Sequence, residues 1–524
     1  MKKIILSNKT NLFTYLFLFY SLYFSINQGS YIYDGYHWGL VASNANDLIN
    51  GKLPYKDFFV HYGFLTTLIH AIAYSIYDSI LSLIILTSFF YIFSIFLLIR
   101  LVKKYSNENY ALMTIFIFFF MQPFVVYPWH TYLIFLFSLL SISFYINHSN
   151  FSYFLFGFFI QLCFLSSESF KICSYIIIFI SIFLLFFQKK EKNVIIKNSF
   201  CILFGYFLPI SLFIFFLHKY NLYESWILHS RIPEIFLKNM DITLFELVVN
   251  FGSNYINSLA NLFDRPYIFL GILINIVCLI FIFKNFLSKK INTDLIFISL
   301  FSILLNYMLV FRHESFRFFS GPIIGIIILT YFLTKLKKEL KYFIIFLILV
   351  FSSLSNPYEK GESNYNFVNK NIKKESLSNK DIRHFKFLNF KPDTWEHYSE
   401  LQNIYEIVKK NCPNLEYFYN STSDHFYYLV LSDHFHSLQS IPGNSESNLK
   451  DYYDSLNIIF DPNLEERLNS EIIKGNVIII KSNSLNTLHL SNSKIALETF
   501  DNFNLKYSYN NKHKTFYYPK KCAN

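Results

Sequence analysis

Asp34 is the residue of this chain best suited to do chemistry. It stands in Tyr33-Asp34-Gly35-Tyr36-His37-Trp38, just past the first apolar segment. A lone carboxylate there can take a proton from an attacking hydroxyl as general base. His37 follows three residues on and shares its face if the stretch is helical, so it can orient that base. Farther along come Gly51-Lys52-Leu53-Pro54-Tyr55-Lys56-Asp57 and His61-Tyr62-Gly63. Asp34, His37, Asp57 and His61 together offer oxygen and imidazole ligands to a divalent cation, at a spacing that matches no fixed metal motif. The stretch Gly35 to Asn50 has helical character, lacks proline and stops at Gly51. Asp34 therefore also reads as a helix cap and Gly51 as the helix stop. A cap position keeps the carboxylate ionised through the helix dipole, which suits a base. A helix of about 16 residues would separate Asp34 from Asp57 by roughly 24 Å unless the chain folds back at Gly51 and Pro54.

The complementary cations come late in the chain, in Arg312-His313-Glu314-Ser315-Phe316-Arg317. The guanidinium groups of Arg312 and Arg317 fit phosphate oxygens through paired hydrogen bonds, and Glu314 offsets part of their charge. Arginines at helix ends also serve as interfacial anchors, and both readings stand at this stage. Lys171, after Ser167-Glu168-Ser169, is a third cation of the same kind. One base plus a basic cluster is the inventory needed when the leaving group is already a stable phosphate anion. A glycosidase instead needs a second carboxyl group to protonate an alkoxide.

These groups must be held by a membrane domain. The chain is 53% hydrophobic and only 15% charged, too apolar for an ordinary soluble protein. Eleven apolar segments are long enough to cross a bilayer: roughly 11–27, 78–101, 109–126, 130–147, 151–167, 170–187, 197–217, 267–283, 293–311, 318–334 and 340–355. The first follows Met1-Lys2-Lys3 without a small-residue cleavage site and reads as a retained helix. Cations gather in alternate connections: Lys2, Lys3 and Lys9; Arg100, Lys103 and Lys104; Lys189, Lys190, Lys192 and Lys197; Lys284, Lys289 and Lys290; Lys335, Lys337, Lys338 and Lys341. The positive-inside rule then sets the N-terminus in the cytoplasm. The 28–77 loop, the 218–266 loop and everything after Ser355 fall outside. The net charge of +11 is thus spent largely on topology and calls for no nucleic acid. The 21% aromatic content is spread along the whole chain, as base-composition bias would spread it, and marks no sugar platform.

Two regions follow: a transmembrane domain over 1–355 and a polar tail over 356–524 that begins Asn356-Pro357-Tyr358-Glu359-Lys360-Gly361. In the tail, Glu400–Asn411, Asn448–Leu456 and Leu464–Ile473 read as helices, the last ended by Gly475. Leu415–Tyr419, Tyr427–Leu431 and Val477–Ile480 read as strands. The fold class expected is mostly α, a polytopic helical bundle with a small extracytoplasmic α/β domain. Cys163, Cys173, Cys201 and Cys278 lie in apolar segments as packing residues. Cys412 and Cys522 lie in the tail, where an oxidising compartment would allow them to pair.

The aspartate soon after the first span, the G-x-x-P-Y-x-D run and the Tyr62-Gly63 step before the second span resemble the GT-C glycosyltransferases, including protein O-mannosyltransferases and bacterial enzymes that modify envelope glycans. The resemblance covers the membrane domain in outline. It implies about 11–13 spans, a soluble outer domain and a polyprenyl-phosphate sugar as donor. It also implies an envelope lipid, glycan or protein as acceptor, a bacterial inner-membrane location and Asp34 as the base. Many members carry Asp-Glu where this chain has Asp34-Gly35, and Pro-Pro where it has Tyr62-Gly63; the missing second acid leaves both a metal-free site and one with a divalent cation open. A transporter or flippase of lipid-linked glycans would place ionisable groups within its spans. This chain keeps them at span ends. An envelope polymerase would carry its long catalytic loop late rather than first.

A reporter fused after Lys380 should be active outside the cell membrane, and one fused after Lys290 inside. Both on the same side would overturn the alternation.

Overall fold

The computed structural model describes residues 2–30, 35, 37–121, 128–188, 191–231, 265–287, 292–309, 315–354, 382–386, 388, 415–420, 424–438, 463–482, 488–490, 493–495, 505–508 and 514–518, with scattered positions in 243–253 and 403–411. It is predominantly helical, and helix occupies each of the eleven apolar segments. Among the described residues, four helices are long and apolar enough to cross a membrane: Ile80–Tyr105, Glu168–Gln188, Lys192–Lys219 and Pro266–Phe286. The chain divides into two compact units.

The first unit (Met1–Gly29, Ile85–Lys219, Asp241–Val368) holds most of the apolar helices. Large side chains cover its outside: Phe179, Phe200, Phe215 and Phe283 are each about two-thirds exposed or more. Such a surface is unfavourable in water and favourable in lipid. Helices Asn150–Ser166 and Lys192–Lys219 cross at Gly157 and Gly205. A Cβ at Gly157 would collide with the Ile202 carbonyl, and one at Gly205 with that of Phe154. The two backbones touch there because neither position carries a side chain.

The second unit (Ser30–Ile84, Tyr220–Met240, Asn369–Asn524) joins the first loop to the tail. The expected division at 355 follows hydropathy; the compact units follow packing, which gathers loop residues with tail residues. Helix His37–Ile49 is buried from Trp38 through Asp47 and ends near Gly51, whose φ of 82° is the left-handed stop expected of it. Helix Phe64–Ile76 lies against it.

The tail builds a five-stranded sheet in the order β2-β1-β3-β7-β6, with β1 Tyr417–Asn420, β2 His436–Ser437, β3 Val477–Ser482, β6 Leu505–Ser508 and β7 Lys514–Tyr518. β1 is parallel to both β2 and β3, while β7 is antiparallel to β3 and to β6. β4 Leu488–Leu490 and β5 Ser493–Ile495 form a separate antiparallel pair. Val477–Ile480 is fully buried, as a strand covered on both faces should be. Helix Leu464–Ile473 packs Leu464, Leu468 and Ile472 onto Tyr419, Val477 and Ile479.

One expectation is corrected. Tyr427–Leu431 is not a strand but part of helix His425–Leu431. A short apolar run buried on every side has no period to read, and the Asp424 cap, which accepts from the Phe426 N–H at 3.0 Å, decides for helix. Most of Glu400–Asn411, all of Asn448–Leu456, and Cys412 and Cys522 lie outside the described residues.

A buried polar junction ties the first loop to the tail. Asp433 accepts two hydrogen bonds from Arg383, at 2.6 and 3.1 Å, and lies 2.8 Å from His384 Nε2. His384, fully buried, meets the Tyr74 hydroxyl with its other ring nitrogen. Burial pushes the Asp433 carboxyl up, but His384 and Arg383 outweigh it and hold it below its ordinary value. Its stabilising contribution is therefore complete above the ordinary carboxylate range and is lost as pH falls through the lowered folded value. His70, buried in helix Phe64–Ile76, is pushed by burial down to about 3. The unfolded chain takes up that proton first, so stability is lost as pH falls from about 6.5 toward the folded value.

Thermal unfolding of purified protein should accordingly shift down as pH goes from 7 to 4, and His70→Gln should lose less of its stability over that range. Asp433→Ala should cost about 1–3 kcal/mol at pH 7 by leaving His384 without its acceptor. A flat pH profile, or no cost for Asp433→Ala, would contradict this account.

Candidate functional site

Asp34 lies outside the described residues, but the chain leaves it one peptide from Gly35, whose surroundings are defined. The Gly35 carbonyl accepts from the His425 N–H at 2.9 Å. A Cβ at Gly35 would collide with the Asp424 carboxylate, and one at Gly39 would press on the His425 backbone. The chain has Gly35 where the resembled enzymes often carry a glutamate. Here a side chain would have to displace the Asp424 carboxylate, which occupies that space.

The place where this loop docks has its own meaning. β1 leads through Asp424 and helix His425–Leu431 to β2 on one side, while β3 lies on the other side of β1. The carboxyl end of β1 is thus the point at which strand order reverses, the position where open α/β sheets bind ligands. Asn420, the last residue of β1, is buried and donates to the Asp424 carbonyl at 2.9 Å. Gly35 therefore meets the segment that follows the carboxyl end of β1.

Imidazoles gather in the same unit. His61 feels His37, His425 and His229 electrostatically, and burial, the larger effect, lowers it to about 3. His61 and His229 both pack on the Phe59 ring, at 5.9 and 4.8 Å between centroids. Tyr55 meets His229 edge-on at 5.0 Å. Asn44 fixes this segment to helix His37–Ile49 by donating to the Phe59 carbonyl at 3.0 Å. His37, the first residue of that helix, and His61 are partly exposed; His229 and His425 are buried. A neutral His61 donates or accepts a hydrogen bond without adding charge. Tyr55 has a φ of 67°, uncommon for a bulky residue and a source of local strain. Sequence reading singled out His37 and His61 but missed His229, His425 and Asp424, which come from two other stretches.

Asp57 is placed otherwise. Its carboxylate accepts the Leu53 N–H at 2.7 Å and its own N–H bonds the Leu53 carbonyl at 2.8 Å, closing the turn through Pro54 and Tyr55. It is exposed, and it is not among the groups acting on His61. Nearby, Asp47 pairs with Lys52 at 2.7 Å and accepts from the Tyr428 hydroxyl at 2.8 Å. Burial nonetheless raises the Asp47 carboxyl above its ordinary value. Among the described residues, no group of three or more His, Cys, Asp or Glu side chains could hold a metal ion.

The cations belong to the helical unit. Arg317, in the short helix Ser315–Phe319, stacks its guanidinium 4.9 Å from the Trp129 ring centre and donates to the Met308 carbonyl at 3.3 Å. The Phe170 ring meets Tyr307 at 5.9 Å, so the Ser167–Lys171 connection and Arg317 both reach the segment Leu305–Leu309. Lys171 is exposed at the start of helix Lys171–Leu185. Arg312 and Glu314 lie outside the described residues.

No family model matches the chain, and no curated protein does. Among solved structures, the chain is similar to the Archaeoglobus fulgidus oligosaccharyltransferase in its apo form. That match has a TM-score of 0.49 and 10% identity, covering 90% of this chain and 70% of that one. It is also similar to that enzyme in complex with zinc and sulfate, with a TM-score of 0.48 and 12% identity over 96% of this chain and 73% of that one.

Proposed function

We propose that the chain is an integral membrane glycosyltransferase that moves a sugar from a polyprenyl-phosphate donor to an envelope acceptor on the outer face of the membrane. The observation that carries the reading is the docking of Gly35 on Asp424 and His425. It sets Gly35, the chain neighbour of Asp34, against the segment that follows the carboxyl end of β1.

In this reading Asp34 accepts the proton of the acceptor nucleophile as it attacks the anomeric carbon. The bond to the phosphate breaks with its electron pair on the phosphate oxygen, which needs no acid. Arg312, Arg317 and Lys171 hold the departing phosphate, with Glu314 tempering their charge. Stacking on Trp129 limits the freedom of the Arg317 guanidinium, so its fork is oriented before donor arrives. His37 and His61 support the base as hydrogen-bonding groups, His61 as a neutral ring. Asp57 acts through the turn it closes, by shaping the segment that carries Tyr55, Phe59 and His61.

Purified protein supplied with radiolabelled polyprenyl-phosphate sugars should release label in an acceptor-dependent way. Asp34→Asn should lower turnover by about 10²–10⁴-fold with the fold retained. Arg317→Lys keeps the charge but loses the planar fork, and should weaken donor binding by about 1–3 kcal/mol. Normal turnover in Asp34→Asn would reject the base, and unchanged donor affinity in Arg317→Lys would leave that arginine a helix-end anchor.

A further inference from the structure

Lysines gather in the first unit where two helices end and a third begins. Helix Pro266–Phe286 carries Lys284 in its last turn, and helix Ile326–Lys335 ends on Lys335. These two helices run the same way. A Cβ at Gly325 would press on Ile274, and the Phe281 and Tyr331 rings meet edge-on at 5.8 Å, so the contacts advance along both helices together. Only Leu336 and Lys337 join Lys335 to helix Lys338–Leu354, which returns in the opposite sense. Near its far end Phe351 stacks on Phe269, at 4.4 Å between centroids. Measured from that pair by the helical rise, Lys338 lies about 20 Å away along one helix and Lys284 about 22 Å along the other. Lys284, Lys335, Lys337 and Lys338 therefore emerge at one level, with Lys341 one turn along from Lys338.

The protein does not use these charges itself. Lys284, Lys335, Lys337 and Lys338 are exposed and Lys341 is half-buried, and among the described residues none of them pairs with a carboxylate. Glu339, in the first turn of helix Lys338–Leu354, is the one acid within the group. Lys103 shows the contrast: it is held by Glu108 and by Asn11, each at 3.0 Å. The Lys335 amine lies 5.3 Å from the centre of the same Tyr331 ring that meets Phe281, so it leans toward helix Pro266–Phe286. Apolar side chains share the rim: Phe283, Leu340 and Phe343 are each half exposed or more. Lysines interleaved with exposed apolar groups mark the level at which acyl chains give way to phosphate.

We propose that these helix ends bind the headgroup of an anionic phospholipid. Its phosphate sits between Lys284 and Lys335, with Lys338 and Lys341 beside it, and its acyl chains run along Phe283, Leu340 and Phe343. A soluble anion would meet the same charges but leave the apolar rim uncovered, so the lipid is the occupant that answers both features. Ammonium groups suit this role because each is a point charge on a flexible stem and needs no fixed angle to a phosphate oxygen. A lipid held there ties together three helices and stabilises the folded form by mass action. Binding at this end is independent of the reaction proposed above, and its test reads lipid rather than turnover.

The full-length protein in detergent would be titrated with phosphatidylglycerol, and with phosphatidylethanolamine as the uncharged reference, with bound lipid read by native mass spectrometry. Phosphatidylglycerol should bind the more tightly. The double variant Lys284→Gln, Lys335→Gln should weaken its tightest binding by about 10–30-fold, the scale of two lysines facing an anionic headgroup. Lys284→Arg with Lys335→Arg should keep it, which also shows that the positions tolerate change. Lys192→Gln, at the exposed start of helix Lys192–Lys219, should leave it unaltered. An equal loss in Lys192→Gln would reduce the effect to diffuse surface charge and overturn the proposal. So would displacement of the lipid by inorganic phosphate at the same concentration, which would make the occupant a soluble anion.

Discussion

A half-buried carboxylate, Asp433, ties the first loop to the tail within the second unit. Burial alone would drive it toward the neutral form, and only the paired donors of Arg383 and the His384 ring keep it charged. His384 in turn has no exposure and sits between Asp433 and the Tyr74 hydroxyl. Each member is stable there only because the others are present, since a buried polar group without a partner is costly. The chain is thereby closed over long distances: Tyr74 and His384 are 310 positions apart. Ser79 strengthens the closure by donating to the His384 and Lys386 carbonyls at 3.2 and 2.8 Å.

A second closure of the same kind acts at the carboxyl end of helix His37–Ile49. Tyr428 donates to Asp47, 381 positions away in sequence, and Lys52 completes the pair. Asn46 adds a bond from Arg383, linking the two closures. With that helix held along its length, its start has little freedom, and the close approach of Gly35 and Gly39 to Asp424 and His425 becomes a fixed feature. The site thus inherits its geometry from polar contacts that do no chemistry themselves. Asp57 is exposed, like Lys56 beside it, and its hydrogen bonds are spent within its own turn.

The helical unit is organised by other means. Its helices touch closely, as at the Gly157–Gly205 crossing, and its polar side chains bond across helices, as in the reciprocal bonds between Asn275 and Asn306 at 3.2 and 3.0 Å. Arg317 follows that style. Its guanidinium meets an aromatic face and a backbone carbonyl. A guanidinium so placed has its fork oriented, which suits a group proposed to receive a phosphate.

Sequence alone determined what depends on local pattern. Apolar runs became helices, Gly51 ended the helix before it, Leu464–Ile473 became a helix, and Val477–Ile480 became a buried strand. Each signal is carried by neighbouring residues, through side-chain period, a cap, or a glycine able to take a positive φ. Tertiary structure decided what neighbours cannot encode. Tyr427–Leu431 is uniformly apolar, so its helical state came from the Asp424 cap and the packing around it. The convergence of His37, His61, His229 and His425, and the filling of the space at Gly35 by Asp424, bring together four separate stretches of the chain. No period or spacing records that meeting. It arises because the buried polar groups of loop and tail are satisfied only by each other, and that condition exists only once the chain has folded.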